Sequence, residues 1–200
     1  MKALILDAGG VLIHSGPQDA RRAWEAAHGR NAGFLDDAWR EAVGGGWAEG
    51  RDEDAIRRRL LELTGTAAAD YPRLLEVMDA DDALDRDLVA LLESLRPTMR
   101  TAVLTNAGPS RRADLVHRYG MDRLVDLIVV SAEEGIAKPD PRAYLLTAER
   151  LGVAPAACVF VDDAQRNVDG AIRAGMTGVL YAGAADLASR LTTPYSPDRD

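Results

Sequence analysis

Five short, mainly apolar runs along the chain constrain its fold more than any other feature. They occupy residues 3–6, 101–104, 126–130, 158–161 and 178–181. None of them alternates between apolar and polar residues, as a strand with one solvated face does. Unbroken apolar strands are typical of parallel sheets that helices cover on both faces. The runs therefore predict an α/β fold built around a five-stranded parallel sheet.

Helical segments separate the later runs, and their boundary residues agree with this fold. Ser110 precedes a helical pattern that ends at Gly120. Asp140-Pro141 supplies an N-cap followed by proline at the first helical position, and the helix that they begin ends at Gly152. Because strands and helices alternate in this way, we expect a Rossmann-like core in which helices flank the sheet.

Residues 15–81 follow a different pattern, since they contain no strand-like run. They hold helical segments at about 18–28, 33–43, 52–64 and 70–79. The segments lie between the first and second strands of the predicted sheet. They predict a small all-helical cap domain inserted into the α/β core.

All three tryptophans fall within this helical part. Trp24 and Trp39 occupy helical positions among charged residues, so we expect them in the core of the cap. Trp47 follows three glycines, which indicates a loop position where its ring can face a ligand. The predicted domains are an α/β core at 1–14 and 82–191, a helical cap at 15–81, and a disordered tail at 192–200.

Composition narrows the classes of partner and compartment. The formal net charge is −8 and the sequence pI is about 4.9, so the surface repels nucleic acid and anionic membranes. The single cysteine, Cys158, excludes an internal disulfide. No apolar run is long enough to span a bilayer, and we expect a cytoplasmic protein. An anionic substrate then needs a bound cation or a local positive charge.

Polar residues follow the predicted strands or lie in the loop beyond them. The carboxyl ends of parallel strands meet at one edge of the sheet, which is where α/β proteins bind ligands. Three carboxylates at this edge repel one another unless a cation lies among them, and an all-oxygen site suits Mg²⁺. The residues concerned are Asp7, Thr105, Asn106, Lys138, Asp162 and Asp163.

Each of these residues also has a purely structural interpretation. Asp7 can cap a turn, and Asp163 can cap the helix that follows it. Thr105 and Asn106 can form a local side-chain turn, and Lys138 can be a solvated loop residue. The functional interpretation depends on their convergence, since no one of these residues indicates a site alone.

Four short motifs, taken in order, resemble those of the haloacid dehalogenase-like hydrolase superfamily. Any one of them is weak, but together they extend over nearly the whole chain. The resemblance implies a phosphatase-like enzyme with a helical cap after the first strand, a small phosphorylated substrate and a Mg²⁺ cofactor. The motifs are Asp7-x-Gly9-Gly10-Val11, Thr105-Asn106, Lys138-Pro139 and Asp162-Asp163.

The resemblance also implies a role for each motif residue. Asp7 would be the nucleophile, forming an aspartyl-phosphate, and a Mg²⁺ ligand. Asp163 and the backbone carbonyl of Gly9 would be further ligands, with Asp162 in an outer position. Lys138 would neutralise charge between Asp7 and the phosphate. The residues implied to contact the substrate are Thr105, Asn106, Gly9 and Gly10.

One position departs from the pattern of family phosphatases. They carry a second aspartate two residues after the nucleophile, where it serves as general acid and base, but this chain has Gly9. The loss of such a group typically costs ~10²–10⁴-fold in rate. His14, which follows the same strand and turn, is the nearby candidate for a replacement, although a lone histidine is usually structural.

Three functions remain open at this point. The motifs favour a Mg²⁺-dependent phosphatase that is slow or selective for good leaving groups. A catalytically weak relative that binds a phosphorylated ligand or a partner protein is the alternative, because Gly9 removes the acid. A 2-haloacid dehalogenase is a third, which the Asp162-Asp163 pair disfavours because dehalogenases need no metal and lack paired aspartates there.

Overall fold

The structure is a computed structural model that describes residues 1–44 and 53–192. Trp47 and residues 193–200 of the predicted tail lie outside the described residues. The strands are β1 (Ala3–Leu6), β2 (Ile13–Ser15), β3 (Asp82–Leu84), β4 (Arg100–Thr105), β5 (Leu127–Val130), β6 (Cys158–Asp162) and β7 (Thr177–Leu180).

Five of these strands form the parallel sheet that the apolar runs predict, in the order β5-β4-β1-β6-β7. The observed strands begin and end within about one residue of the predicted runs. The central strand β1 pairs with β4 on one side and β6 on the other. Leu6 is in register with both Val103 and Val161, so Asp7 and Asp162 leave adjacent strands at the same level.

Helices cover both faces of the sheet, which explains why its strands are apolar throughout. One face, with Leu4 and Leu6 of β1, packs in a cluster that includes Leu88 and Leu115. The other face, with Ile5, packs in a cluster that includes the rings of Phe160 and Tyr144. The helices of this core are α5 (Arg86–Leu95), α6 (Arg111–His117), α7 (Met121–Leu124), α8 (Ser131–Glu134), α9 (Pro141–Leu151), α10 (Gln165–Arg173) and α11 (Ala184–Thr192), with a 3₁₀ helix at Pro155–Ala157.

Residues 19–79, here named the helical insert, contain the helices between β2 and β3. The insert has a hydrophobic cluster of its own, built around Leu35, Leu60 and Leu74. Trp24 and Trp39 both pack against this cluster, which confirms their predicted place in the core of the insert. The helices are α1 (Asp19–Ala27), α2 (Phe34–Val43), α3 (Glu53–Thr64) and α4 (Tyr71–Asp79), with a 3₁₀ helix at Ala68–Asp70.

Two features of the fold differ from the sequence-based expectation. The short strands β2 and β3 pair antiparallel, with Ile13 opposite Leu84, and they join the insert to the core where only loops were expected. The last helix, α11, extends to Thr192, one residue into the predicted tail. In the described part of the chain, no helix combines the length and apolar character that crossing a membrane requires.

Candidate active site

Three carboxylates from two neighbouring strands converge at the carboxyl edge of the sheet. Asp7 follows β1, Asp162 ends β6, and Asp163 comes directly after it. Each offers an oxygen atom, and these three atoms lie within 4.8 Å of one another. Burial, followed by the neighbouring Asp162 carboxylate, raises the pKa of Asp163. The three groups therefore form a crowded acidic cluster that a cation would stabilise.

Lys138 lies inside this cluster and is 1% exposed. Its Nζ atom is 2.9 Å from Oδ1 of Asp7 and 2.7 Å from Oδ2 of Asp162. Burial raises the pKa of Asp7, and the Lys138 ammonium opposes that shift. Because one ammonium neutralises only part of the charge of three carboxylates, the cluster keeps a net negative charge.

The protein already satisfies both oxygens of Asp162. Oδ1 accepts from the Ala164 backbone N–H at 2.9 Å and from Asn167 Nδ2 at 3.0 Å. Oδ2 accepts from Lys138 Nζ at 2.7 Å and from the same Asn167 amide at 3.1 Å. Asp162 therefore supports Lys138, and its position outside the inner set of metal ligands stays a prediction.

Asp7 is held at one oxygen only among the described residues. Its Oδ1 accepts from the Ala8 backbone N–H at 2.7 Å and lies beside Lys138 Nζ. Its backbone N–H donates to the Val161 carbonyl at 2.9 Å, which fixes the residue at the sheet edge. Oδ2 is consequently available for chemistry in the cleft that Asp7 lines.

Asn106 holds the main chain of Lys138 at both polar atoms. Its Nδ2 donates to the Lys138 carbonyl at 2.7 Å, and its Oδ1 accepts from the Lys138 N–H at 2.9 Å. The Asn106 side chain thus positions the lysine, and a contact of the Asn106 region with a phosphoryl group stays a prediction. Thr105, at the end of β4, is 5% exposed and lines the cleft beside these residues.

The two glycines after β1 differ in what surrounds them. Gly10 has a φ of +74°, and a Cβ built there would lie 2.2 Å from Oδ2 of Asp163. A side chain at this position would therefore displace a carboxylate of the cluster. A Cβ at Gly9 would meet no heavy atom within 4 Å, and its φ lies outside the left-handed region. The position of the missing acid is open space at the edge of the cleft.

A cleft of about 460 Å³ lies over the cluster, between the core and the helical insert. Its core side presents the polar residues of the strand ends. Its insert side presents two aromatic rings, Trp39 and Tyr71, with Leu75 and Met78 beside them. Arg21, Glu53 and Asp79 of the insert also line the cleft, so the insert wall combines apolar and aromatic surface with charged side chains.

His14 lies apart from the cluster. Its Nε2 is 3.4 Å from Oδ2 of Asp85, and its ring stacks against Tyr181 with the centroids 6.0 Å apart. The Tyr181 hydroxyl donates to the same Asp85 oxygen at 3.0 Å. His14 is not among the described residues that line the cleft, and this arrangement gives it a contact at the junction of β2 with α5.

Sequence reasoning overlooked two groups of residues at the site. Asn167 lies one helical turn beyond Asp163, in DDAQRN, and this spacing is a signal that could have linked its amide to the aspartate pair. The Tyr144 hydroxyl, which donates to the Asn167 carbonyl at 2.7 Å, has no such local signal. The exposure of Trp39 and Tyr71 to the cleft depends on how the insert sits over the core, which no sequence pattern specifies.

A comparison with protein families matches residues 1–175 to a model described as haloacid dehalogenase-like hydrolase. A phosphatase of Mycobacterium tuberculosis is 39% identical over 123 residues, which are 61% of this chain and 56% of that protein. The chain spans about half the length, or less, of the first curated relatives that it matches.

Solved structures with the same fold include a family member bound to magnesium and phosphate and a named dehalogenase. A HAD family enzyme from Bacteroides thetaiotaomicron, in complex with magnesium and inorganic phosphate, has a TM-score of 0.73 at 19% identity, over 96% of this chain and 100% of that chain. L-2-haloacid dehalogenase from Xanthobacter autotrophicus has a TM-score of 0.72 at 25% identity, over 96% of this chain and 82% of that chain. The fold alone therefore does not identify the reaction of this chain.

Proposed function

The chain belongs to the haloacid dehalogenase-like hydrolases, and from this we propose that it is a Mg²⁺-dependent phosphatase of a small phosphorylated metabolite. The observation that carries the proposal is the cluster of Asp7, Asp162 and Asp163, whose oxygen atoms lie within 4.8 Å of one another beside a buried lysine. Membership of this family, which the four motifs predict and the family model shows, supports a hydrolytic reaction. The relatives named as phosphatases support a phosphate ester as the substrate.

The donor set fits a magnesium ion. Asp7 and Asp163 would hold it with carboxylate oxygens, and the backbone carbonyl of Gly9 would add a third oxygen. Asp162 would remain in the outer position, since Lys138 and Asn167 already occupy its oxygens. When bound, Mg²⁺ supplies charge neutralisation at the phosphoryl oxygens.

The chain's own residues account for the chemical steps. Asp7 would attack phosphorus, so that a bond from its carboxylate oxygen forms as the bond to the leaving group breaks. Lys138 would balance the charge of Asp7 and the phosphoryl group. Thr105 and the backbone of Asn106 would donate to the phosphoryl oxygens. Water then hydrolyses the aspartyl-phosphate and restores Asp7.

The helical insert, residues 19–79, would form most of a cap at residues 15–81, over a core at 1–14 and 82–191. Its supporting observation is the cleft, which residues of both parts line. Substrate that enters the cleft is then shielded from bulk water on the insert side. Shielding strengthens the electrostatic contribution of Lys138.

Gly9 gives the proposed enzyme a specific weakness. Because no side chain stands two residues after the nucleophile, the leaving group would depart without the family's usual proton donor. We therefore propose slow turnover or selectivity for leaving groups of low pKa, such as aryl, acyl or anomeric phosphates. The same feature supports the second candidate, a weak relative whose role is to bind a phosphorylated ligand or a partner protein.

A turnover assay with p-nitrophenyl phosphate separates the candidates. The phosphatase predicts Mg²⁺-dependent release of p-nitrophenol that Asp7→Asn abolishes, while Asp19→Asn, at an exposed aspartate of α1, keeps the wild-type rate. A dehalogenase predicts metal-free halide release from a 2-haloacid instead. Binding of a phosphate mimic such as beryllofluoride, without turnover of either substrate, would favour the binding relative and reject the phosphatase.

A further inference from the structure

The insert side of the cleft presents a continuous apolar and aromatic wall. Tyr71, Leu75 and Met78 recur at spacings of four and three residues on α4, so they share one face of that helix. All three line the cleft, and Trp39 of α2 lines it with them. This set of four residues is named the aromatic wall below.

The charged residues of the insert that line the same cleft are already paired with protein groups. Arg21 donates to the Met78 carbonyl through Nε at 2.6 Å and also pairs with Asp36. Glu53 accepts from the Ser110 hydroxyl at 2.8 Å, and Asp79 lies 3.9 Å from the Arg118 guanidinium of the core. Besides these paired charges, the insert offers a leaving group ring and methylene surface, with two rings among the four members of the wall.

Gly9 restricts the leaving group independently. A leaving group that departs without a proton donor must itself be a weak base, and an aryl oxide is a far weaker base than an alkoxide. A Cβ built at Gly9 meets no heavy atom within 4 Å, so the protein does not crowd this edge of the cleft. A cleft of about 460 Å³ falls in the size range that binds small organic ligands, ~300–1,000 Å³.

We propose that the substrate is a phosphate monoester whose leaving group is a flat aromatic ring stacked on Trp39, which makes Trp39 a specificity-determining residue. The inference rests on the proposed phosphatase function and narrows its substrate class. In the reaction the bond from Asp7 to phosphorus forms as the bond from phosphorus to the aryl oxygen breaks. The electron pair stays on the aryl oxide, which takes its proton from water.

Binding of two phosphonates that cannot be hydrolysed tests whether the aromatic wall recognises a ring, independently of whether the protein hydrolyses phosphate esters. Phenylphosphonate and cyclohexylphosphonate carry the same anion on rings of similar size, and only the first is flat and aromatic. Stacking on one ring contributes ~0.5–1.5 kcal/mol, so phenylphosphonate should bind about 2–12-fold more tightly in calorimetry with Mg²⁺ present. Trp39→Leu should remove this preference.

Trp24→Leu is the matched control, because Trp24 packs against the same hydrophobic cluster of the insert but is not among the described residues that line the cleft. It should keep the wild-type preference. Trp39→Met provides a second variant of similar volume, whose longer and more flexible side chain can adapt to the space left by the ring, if Trp39→Leu does not fold.

Equal binding of the two phosphonates to the wild type, binding of neither, or a preference that survives both Trp39 variants would overturn the inference. The proposed function fails in a different way. A phenyl preference in a protein that hydrolyses no phosphate ester would reject the phosphatase and keep the aromatic subsite. Mg²⁺-dependent hydrolysis without any phenyl preference would keep the phosphatase and reject the subsite.

Discussion

Gly9 departs from the motif of the phosphatases that this chain resembles, and the surroundings of Gly9 allow that difference to be tested by substitution. A side chain at position 9 meets no atom within 4 Å of its Cβ, and the backbone there needs no left-handed conformation. Gly9→Asp should therefore fold normally and restore a proton donor. We expect alkyl-phosphate turnover to rise by ~10²-fold or more, measured as phosphate release over a series of leaving groups.

Gly9→Asn is the control, because it adds a side chain of the same shape without an acidic proton. In the wild type the logarithm of the rate should fall steeply as leaving-group pKa rises, and Gly9→Asp should flatten the slope. A wild-type rate that is already flat across aryl and alkyl esters would contradict the proposal, since it would require a proton donor elsewhere in the cleft.

The core elements could be predicted from the sequence because their signals are local. A parallel strand covered on both faces is mainly apolar, and α9 begins at the predicted cap Asp140, which accepts from the Arg142 N–H, whereas the predicted cap Ser110 makes no side-chain cap hydrogen bond at α6. The rule that ligands bind beyond strand ends then located Asp7 and the residues after β4 and β6. These expectations needed no knowledge of which distant segments pair.

The junction between core and insert could not be predicted in this way. Strands β2 and β3 are three residues each, and they pair across almost seventy residues of chain, as His14 opposite Ala83 illustrates. Neither has an apolar run, so no local pattern indicates a strand. Asn167 was not predicted as a site residue for a related reason, because its contact with Asp162 depends on the rotation of α10 about its own axis.

The same junction provides a test at the level of the element. The Gly16 N–H donates to the Asp81 carbonyl at 2.8 Å, and a Cβ at Gly16 would lie 2.6 Å from that oxygen. Gly16→Ala should push the two crossing segments apart and cost ~1–3 kcal/mol of unfolding free energy. Urea unfolding should show a lower midpoint, and limited proteolysis should cleave faster near residues 16 and 81.

Ser15→Ala serves as the control for that variant, because Ser15 is an exposed neighbour on β2 and its substitution should leave the midpoint within error. If Gly16→Ala unfolds at the wild-type urea concentration, the close approach at Asp81 does not constrain the junction.

At the scale of the whole molecule, the insert and the core form a cleft whose two walls present different side chains to a ligand. The core wall holds the acidic cluster and Lys138, which the sheet positions, and the insert wall holds the rings together with charged side chains that pair with other protein groups. The insert joins the core through β2 and β3, and the two parts also touch where Ser110 of the core donates to Glu53 of α3. This hydrogen bond lies across the cleft, and its two residues are solvent-accessible.

Ser110→Ala removes that contact without altering the acidic cluster or the aromatic wall. A hydrogen bond to a carboxylate at an accessible position contributes about 1 kcal/mol, so the closed arrangement should lose stability by that amount. We expect KM for p-nitrophenyl phosphate to rise about five-fold while kcat changes little, since substrate binding depends on the closed cleft and the groups that touch phosphorus are unchanged. Ser94→Ala is the control, because Ser94 is an exposed serine of α5 that donates to the Leu91 carbonyl. An unchanged KM in Ser110→Ala would mean that the insert is held over the core by its other contacts alone.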